Sequence, residues 1–345
     1  AITTLNNLAN QDNTEEGRSK IAAAIFNIST RPSGITALIA NDAITTLNHL
    51  AAQDNSKYVQ ECIAAAIRNI AMSNEGIAAL IENDAITTLN NLAAQDNTEY
   101  GRECIAATIY DISTSLAGKT ALIENGAITT LNNLAAQKNT EYGLQYIVTA
   151  IRHIAMRDEG ITVLIENGEV ISMLPTLARQ ANTEFGRQCI AAAIFTISAS
   201  LPGITALIEN GEVISMLPTL AGQANTEYRR GCIAGAIANV ATIDEGIIAL
   251  IANGAITTLN HLAGQANIEY VREKIVRAIR NIAMSDEGRT ALIANGVLTT
   301  LNHLANQDNT EVGRSNIATA IAMISTSEAG TTALIENGAI NTLNH

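Results

Sequence analysis

The chain has no tryptophan, and only three phenylalanines and seven tyrosines among 345 residues. With so few rings, Ala, Ile and Leu must fill the core, and such small side chains let layers pack closely. Cations are also scarce: 20 Lys and Arg stand against 33 carboxylates, a formal net charge of −13. A nucleic-acid groove needs clustered cations, and so does a surface for anionic lipid. The balance therefore argues against nucleic acid and membrane as partners. No apolar run reaches the roughly 20 residues that cross a bilayer, and no signal peptide is present, so an intracellular, cytoplasmic location is expected. The chain opens at Ala1, without Met, as a processed product or a piece of a longer chain would.

Cysteines are few as well. Cys62, Cys104, Cys189 and Cys232 all precede an Ile-Ala pair at one repeat position. Adjacent helices run roughly 8–10 Å apart, whereas a disulfide needs Cα atoms within about 7 Å. Free thiols in a reducing compartment are expected. No second Cys or His stands at metal-ligand spacing. There is no HExxH and no phosphate-cradling glycine loop, and Ser, Cys and His recur at repeat positions where catalysis needs one asymmetric cluster. The reading is a protein that is not an enzyme and needs no cofactor.

What the sequence does contain is a repeat. The segment that begins AITTLNNLA recurs from Ala1, Ala43, Ala85, Ala127, Glu169, Glu212, Ala255 and Val297. A partial ninth copy spans 339–345. The steps are 42 residues, or 43 after Glu169 and Glu212. A fixed period of this size marks stacked helical units and overrides domain counting by length. Residues 1–345 are therefore expected to form one continuous array. In the first copy Ile2, Leu5 and Leu8 share one helical face, as do Ile21, Ile25 and Ile28, and then Ile35, Leu38 and Ile39. Asp12-Asn13-Thr14-Glu15 and Ser73-Asn74-Glu75-Gly76 supply caps and acidic first turns. Gly126, Gly168, Gly211, Gly254, Gly296 and Gly338 stand where a left-handed residue closes the short helix. Each unit thus predicts helices of about ten, sixteen and eight residues, and it can bury its stripes only against neighbouring units.

GAITTLNNLA, a long helix ending AAAIRNIA, and then EGIAALIENG resemble the armadillo repeat, with HEAT repeats the near alternative. The resemblance covers the full length. It implies an all-α, right-handed superhelix of eight three-helix repeats plus the partial ninth. The long helices would line a concave groove that holds an extended peptide or a partner protein. In the family the long helix presents an Asn that pairs with peptide backbone, and often a Trp four residues earlier. Here the Asn column reads Asn27, Asn69, Asp111, His153, Thr196, Asn239, Asn281 and Met323. Its amides either clamp a ligand or serve the stack. The Trp column holds Ala, Thr, Gly and Arg only, which puts family-style recognition of Lys-rich signals in doubt.

The residue before the Asn column alternates Phe26, Arg68, Tyr110, Arg152 and Phe195, followed by Ala238, Arg280 and Ala322. Such a run can stack as a cation–π ladder or simply shield the helix edge. His49, His261, His303 and His345 replace Asn on the helix that opens the repeat and mark a polar slot. The repeats also alternate at the end of the long helix, Ile-Ser in the first, third, fifth and eighth, and Ile-Ala-Met in the second, fourth and seventh. Pro175 and Pro218 enter the fifth and sixth repeats, where a bend is expected. Neither end carries a polar capping repeat, so a second reading is a structural protein that self-associates end to end into filaments.

Overall fold

The computed structural model describes residues 1–11, 14–166 and 169–337. Asp12, Asn13, Gly168, Gly338, His345 and the partial ninth repeat lie outside the described residues. The described residues hold 25 α-helices and no strand. The second repeat shows the unit: Ala43–Ala51, Lys57–Ala71 and Asn74–Glu82, of 9, 15 and 9 residues. The three-helix unit read from the stop signals is thus present, and the fold is an all-α solenoid.

The chain divides into two compact units, Ala1–Gly186 and Arg187–His345. In the first, the long helices Glu15–Ser29, Lys57–Ala71, Glu99–Ser113 and Glu141–Ala155 stack in order. In the second, Glu227–Val240, Glu269–Ile282 and Glu311–Ile324 do the same. Their shared face is the core. Ile63, Ile67 and Ile70 are fully buried, with Ala64 and Ala66 between them. Each such Ile contributes about 1.5–3 kcal/mol by leaving water.

Caps start the helices as the sequence predicts. Thr98 accepts from the Gly101 amide at 2.9 Å, and Ser73 from that of Gly76 at 3.0 Å. The same threonines also tie successive repeats, since the Thr140 hydroxyl donates to the Glu103 carboxylate at 2.6 Å. A second tie joins the first helices of successive repeats. Asn48 donates to the Asn83 carbonyl at 2.6 Å, while its own carbonyl oxygen accepts from Thr88 at 2.7 Å. Asn260 and Thr300 repeat the pattern. Aligned on LPTLA, the fifth and sixth repeats put Pro175 and Pro218 at this Asn position and Met173 and Met216 at the Thr position, so this tie cannot form there. Pro175 lies inside an unbroken helix, Glu169–Gln180. At Pro218 the helix divides into Gly211–Ser215 and Leu217–Gly222, because proline offers no amide hydrogen.

Gly126, Gly254 and Gly296 are left-handed, with φ of 69°, 72° and 70°, as expected. Asp42 and Asp84 fill that role in the first two junctions, at φ of 55° and 56°. Gly211 departs from the expectation. It begins a helix and has no positive φ, since Asn210 (φ −91°, ψ 73°) makes the turn in this longer repeat. The third residue of every short helix is a glycine for a different reason. A Cβ on Gly76 would lie 1.8 Å from the Ile70 carbonyl oxygen, and the same holds at 1.8–2.0 Å from Gly34 through Gly330.

Two outcomes follow from these contacts. Gly76→Ala lowers stability by about 3 kcal/mol, because helix backbone must separate to admit the methyl group. Asp84→Gly raises it by about 0.5–1 kcal/mol through relief of the left-handed strain. Chemical denaturation of both variants beside the parent chain checks the opposite signs.

Candidate functional site

The predicted columns lie on the C-terminal halves of the long helices, beside the short helices. Two cavities open there in the first unit. One, of about 810 Å³, is walled by Pro32, Ile35, Ile39, Asn69 and Met72. The other, of about 360 Å³, is lined by Arg68, Ile77, Tyr110, Asp111, Thr114 and Tyr146. Met72 and Ser73 line both, so the cavities adjoin. Met72 is 75% exposed, and Met156 and Met284 are also exposed at the same repeat position.

The Asn column proves to be a relay between repeats. Ser29 donates to the Phe26 carbonyl at 2.6 Å and accepts from the Asn69 amide at 2.9 Å. Ser198 does the same between Asn239 (3.1 Å) and the Phe195 carbonyl (2.8 Å). In the fourth repeat His153 stands in for Asn. Ser113 gives its proton to the Tyr110 carbonyl, so the 2.9 Å contact has His153 Nδ1 as donor. Burial, with the charges of Lys119 and Arg152 nearby, holds the His153 imidazole below its ordinary value, which keeps it neutral in that role. The seventh repeat follows one that ends in Ala241, and there the Asn281 amide reaches the Ala238 carbonyl directly at 2.8 Å. Asn27 is exposed, and its amide makes no hydrogen bond among the described residues.

Asp111 stands outside the relay. The repeat before it ends in Ala71, and positions that follow such a repeat vary: Asn281 donates across to Ala238, Thr196 turns back on Ala192 of its own helix, and the Asp111 carboxylate can only accept. The Asp111 carboxylate accepts no hydrogen bond among the described residues, and burial pushes it up to about 6 against the opposing pull of the Arg68 charge. Arg68 also lies near Cys104, Tyr146 and Tyr100.

The aromatic–Arg column does not form a cation–π ladder, as none of its arginines lies over a ring. Tyr110 packs instead on Tyr146 (5.4 Å between centroids) and stacks on His153 (5.6 Å). Phe195 lies across Gly235 in the empty Trp column and meets the Lys274 ammonium at 5.6 Å. Arg152 and Arg280 are half-buried. The Trp column is covered at Ala65, Ala107, Ala192 and Gly235 and half-buried at Ala23, Thr149, Arg277 and Thr319. On the first helix of the unit, His49 and His261 pair with Gln53 and Gln265 one turn on, at 2.9 and 3.3 Å. No metal-binding cluster occurs among the described residues.

One column escaped the sequence reading. The second residue of successive long helices is Tyr58, Tyr100, Tyr142 and Phe185 in the first unit, and Tyr228 and Tyr270 in the second. All are exposed. The signal was available, since these are six of only ten aromatic residues in the chain. The Lys274 ammonium sits 5.0 Å from the Tyr270 ring.

No protein-family model and no curated protein matches the chain. Solved structures do. A designed armadillo repeat protein matches at 28% identity and TM-score 0.59, over 69% of this chain and 99% of its own. A second, in complex with the peptide (KR)4, matches at 27% identity and TM-score 0.59 with the same coverage. An engineered protein at 20% identity covers 99% of this chain and 93% of its own, with TM-score 0.58. The chain has an armadillo-like repeat fold.

The half-buried Asp111 gives a signed expectation. The folded carboxyl titrates near 6, above its ordinary 3.8, so ionisation opposes folding. That penalty is complete above pH 6 and fades as pH falls toward 4. Asp111→Asn, which supplies a donor, should raise stability at pH 7.5 by up to about 2 kcal/mol. Denaturation at pH 7.5 and pH 4 should show the gain at the first and little of it at the second.

Proposed function

We propose that the chain is a non-catalytic scaffold that holds an extended peptide segment, or such a segment of a partner protein, along the C-terminal halves of its long helices. The observation that carries this reading is the pair of adjoining cavities at Met72 and Ser73, lined by residues of both candidate columns. An extended segment suits them. It is thin enough to cross successive helices, and its side chains reach pockets spaced by the repeat. Two neighbours support the class: the designed armadillo repeat protein that carries (KR)4, and computationally designed armadillo repeat proteins for modular peptide recognition, matched at 27% identity. This chain lacks Trp in the corresponding column, so its side-chain preference is its own.

The contacts differ from those expected of an amide clamp. Asn69, Asn239, Asn281 and His153 give protons to the stack, and the Asn239 side-chain oxygen also accepts from Arg277, whereas the Asn27 amide and the Asp111 carboxylate keep their full capacity for a ligand. No single helix among the described residues is long and apolar enough to cross a membrane.

The test is an amide-resolved NMR titration with a random-sequence peptide library and then its enriched members. Shifts confined to residues 29–40, 68–77, 107–114 and Tyr146 are expected. A library that enriches nothing, or shifts elsewhere on the fold, contradicts the reading. Light scattering on the same samples examines end-to-end assembly: mass that grows with protein concentration and ignores peptide would favour filaments over a scaffold.

A further inference from the structure

The two cavities differ in chemistry, and that difference says what they select. The larger is walled by Pro32, Ile35, Ile39 and the exposed Met72, the surroundings of an aliphatic side chain. The smaller brings one acceptor and one donor of opposite charge to a single space: the Asp111 carboxylate, which accepts no hydrogen bond among the described residues, and the Arg68 guanidinium. Arg68 also lies near Tyr146, Tyr100 and Cys104, and a guanidinium has five N–H groups to give. Tyr110 and Tyr146, 5.4 Å apart, form the wall.

A lysine or arginine entering this space would meet Asp111 but also the charge of Arg68. A carboxylate would meet the reverse conflict. A primary carboxamide suits both partners, donating N–H to Asp111 and accepting from Arg68 with no change in net charge. Successive long helices lie roughly 8–10 Å apart, about three residues of extended chain at 3.3 Å each.

We propose that the adjoining cavities read a two-point motif in the bound segment, an aliphatic side chain in the Ile35–Ile39 pocket and an Asn or Gln carboxamide about three residues away between Asp111 and Arg68. The inference rests on the scaffold reading above and names what that scaffold selects. It also gives a role to a half-buried carboxylate that accepts no hydrogen bond among the described residues.

The probe is an end-capped octapeptide of serine with leucine third and glutamine sixth, made in this order and its reverse, since the direction of the bound chain is open. Partners carry Ala, Lys or Glu in place of glutamine. The expected result is binding in one order, weakened about tenfold by each replacement. Asp111→Ala and Arg68→Met should each abolish the preference for glutamine, with thermal melting to confirm that both variants fold. The peptide series itself does not depend on those variants. Equal or tighter binding of the lysine peptide, or equal binding of the alanine peptide, overturns the inference and leaves the scaffold reading standing. Failure of these peptides and of every library member removes the scaffold reading as well.

Discussion

The contact on which the repeat depends is one between main chains. At the third residue of each short helix, glycine sits against the carbonyl that ends the preceding long helix, with no room for a methyl group. The constraint holds in all eight repeats and fixes where the long helix stops. The last turn of that helix carries the Ser or Ala of the alternating pattern, and the Asn column lies just before it. Glycine there is costly in helix propensity, by about 1 kcal/mol. The close approach it permits lets two helices cross at a point where any side chain would hold them apart.

From that fixed end the polar relay follows. A carbonyl near the end of one long helix needs a donor. A serine on the same turn supplies it and is held in turn by an amide or imidazole from the next repeat. Where alanine replaces serine, the next repeat can reach the carbonyl directly, as Asn281 does, but Thr196 bonds within its own helix instead. This accounts for two residue types at the column: a donor after Ile-Ser, and variable residues after Ile-Ala. A stack tied in this way leaves few polar groups free for a ligand, which is why the odd member, Asp111, stands out physically and not merely as a substitution.

Much of the fold was legible because the period, the caps and the apolar stripes all report on local structure. The three helices per repeat, the Thr and Ser caps and the left-handed Gly126, Gly254 and Gly296 followed from them. The site was less legible, since it depends on pairs in neighbouring repeats. The alternation of Ile-Ser and Ile-Ala and the changes in the Asn column were both visible, but only the stack shows that Ser29 and Asn69 are partners across 40 residues. The aromatic–Arg column misled because alternation in sequence does not fix where long side chains point, and Phe195 finds Gly235 and Lys274 while Tyr110 finds Tyr146 and His153. Gly211 misled because the extra residue of its repeat moves the turn to Asn210.

The most direct test of the relay is a double-mutant cycle between Ser29 and Asn69, with Ser29→Ala, Asn69→Ala and the double variant compared by chemical denaturation. A shared hydrogen bond predicts a coupling of about 0.5–1.5 kcal/mol, so that the second substitution costs less than it does alone. Strictly additive losses would mean that the two side chains act independently, and would contradict the claim that the Asn column is held by the stack.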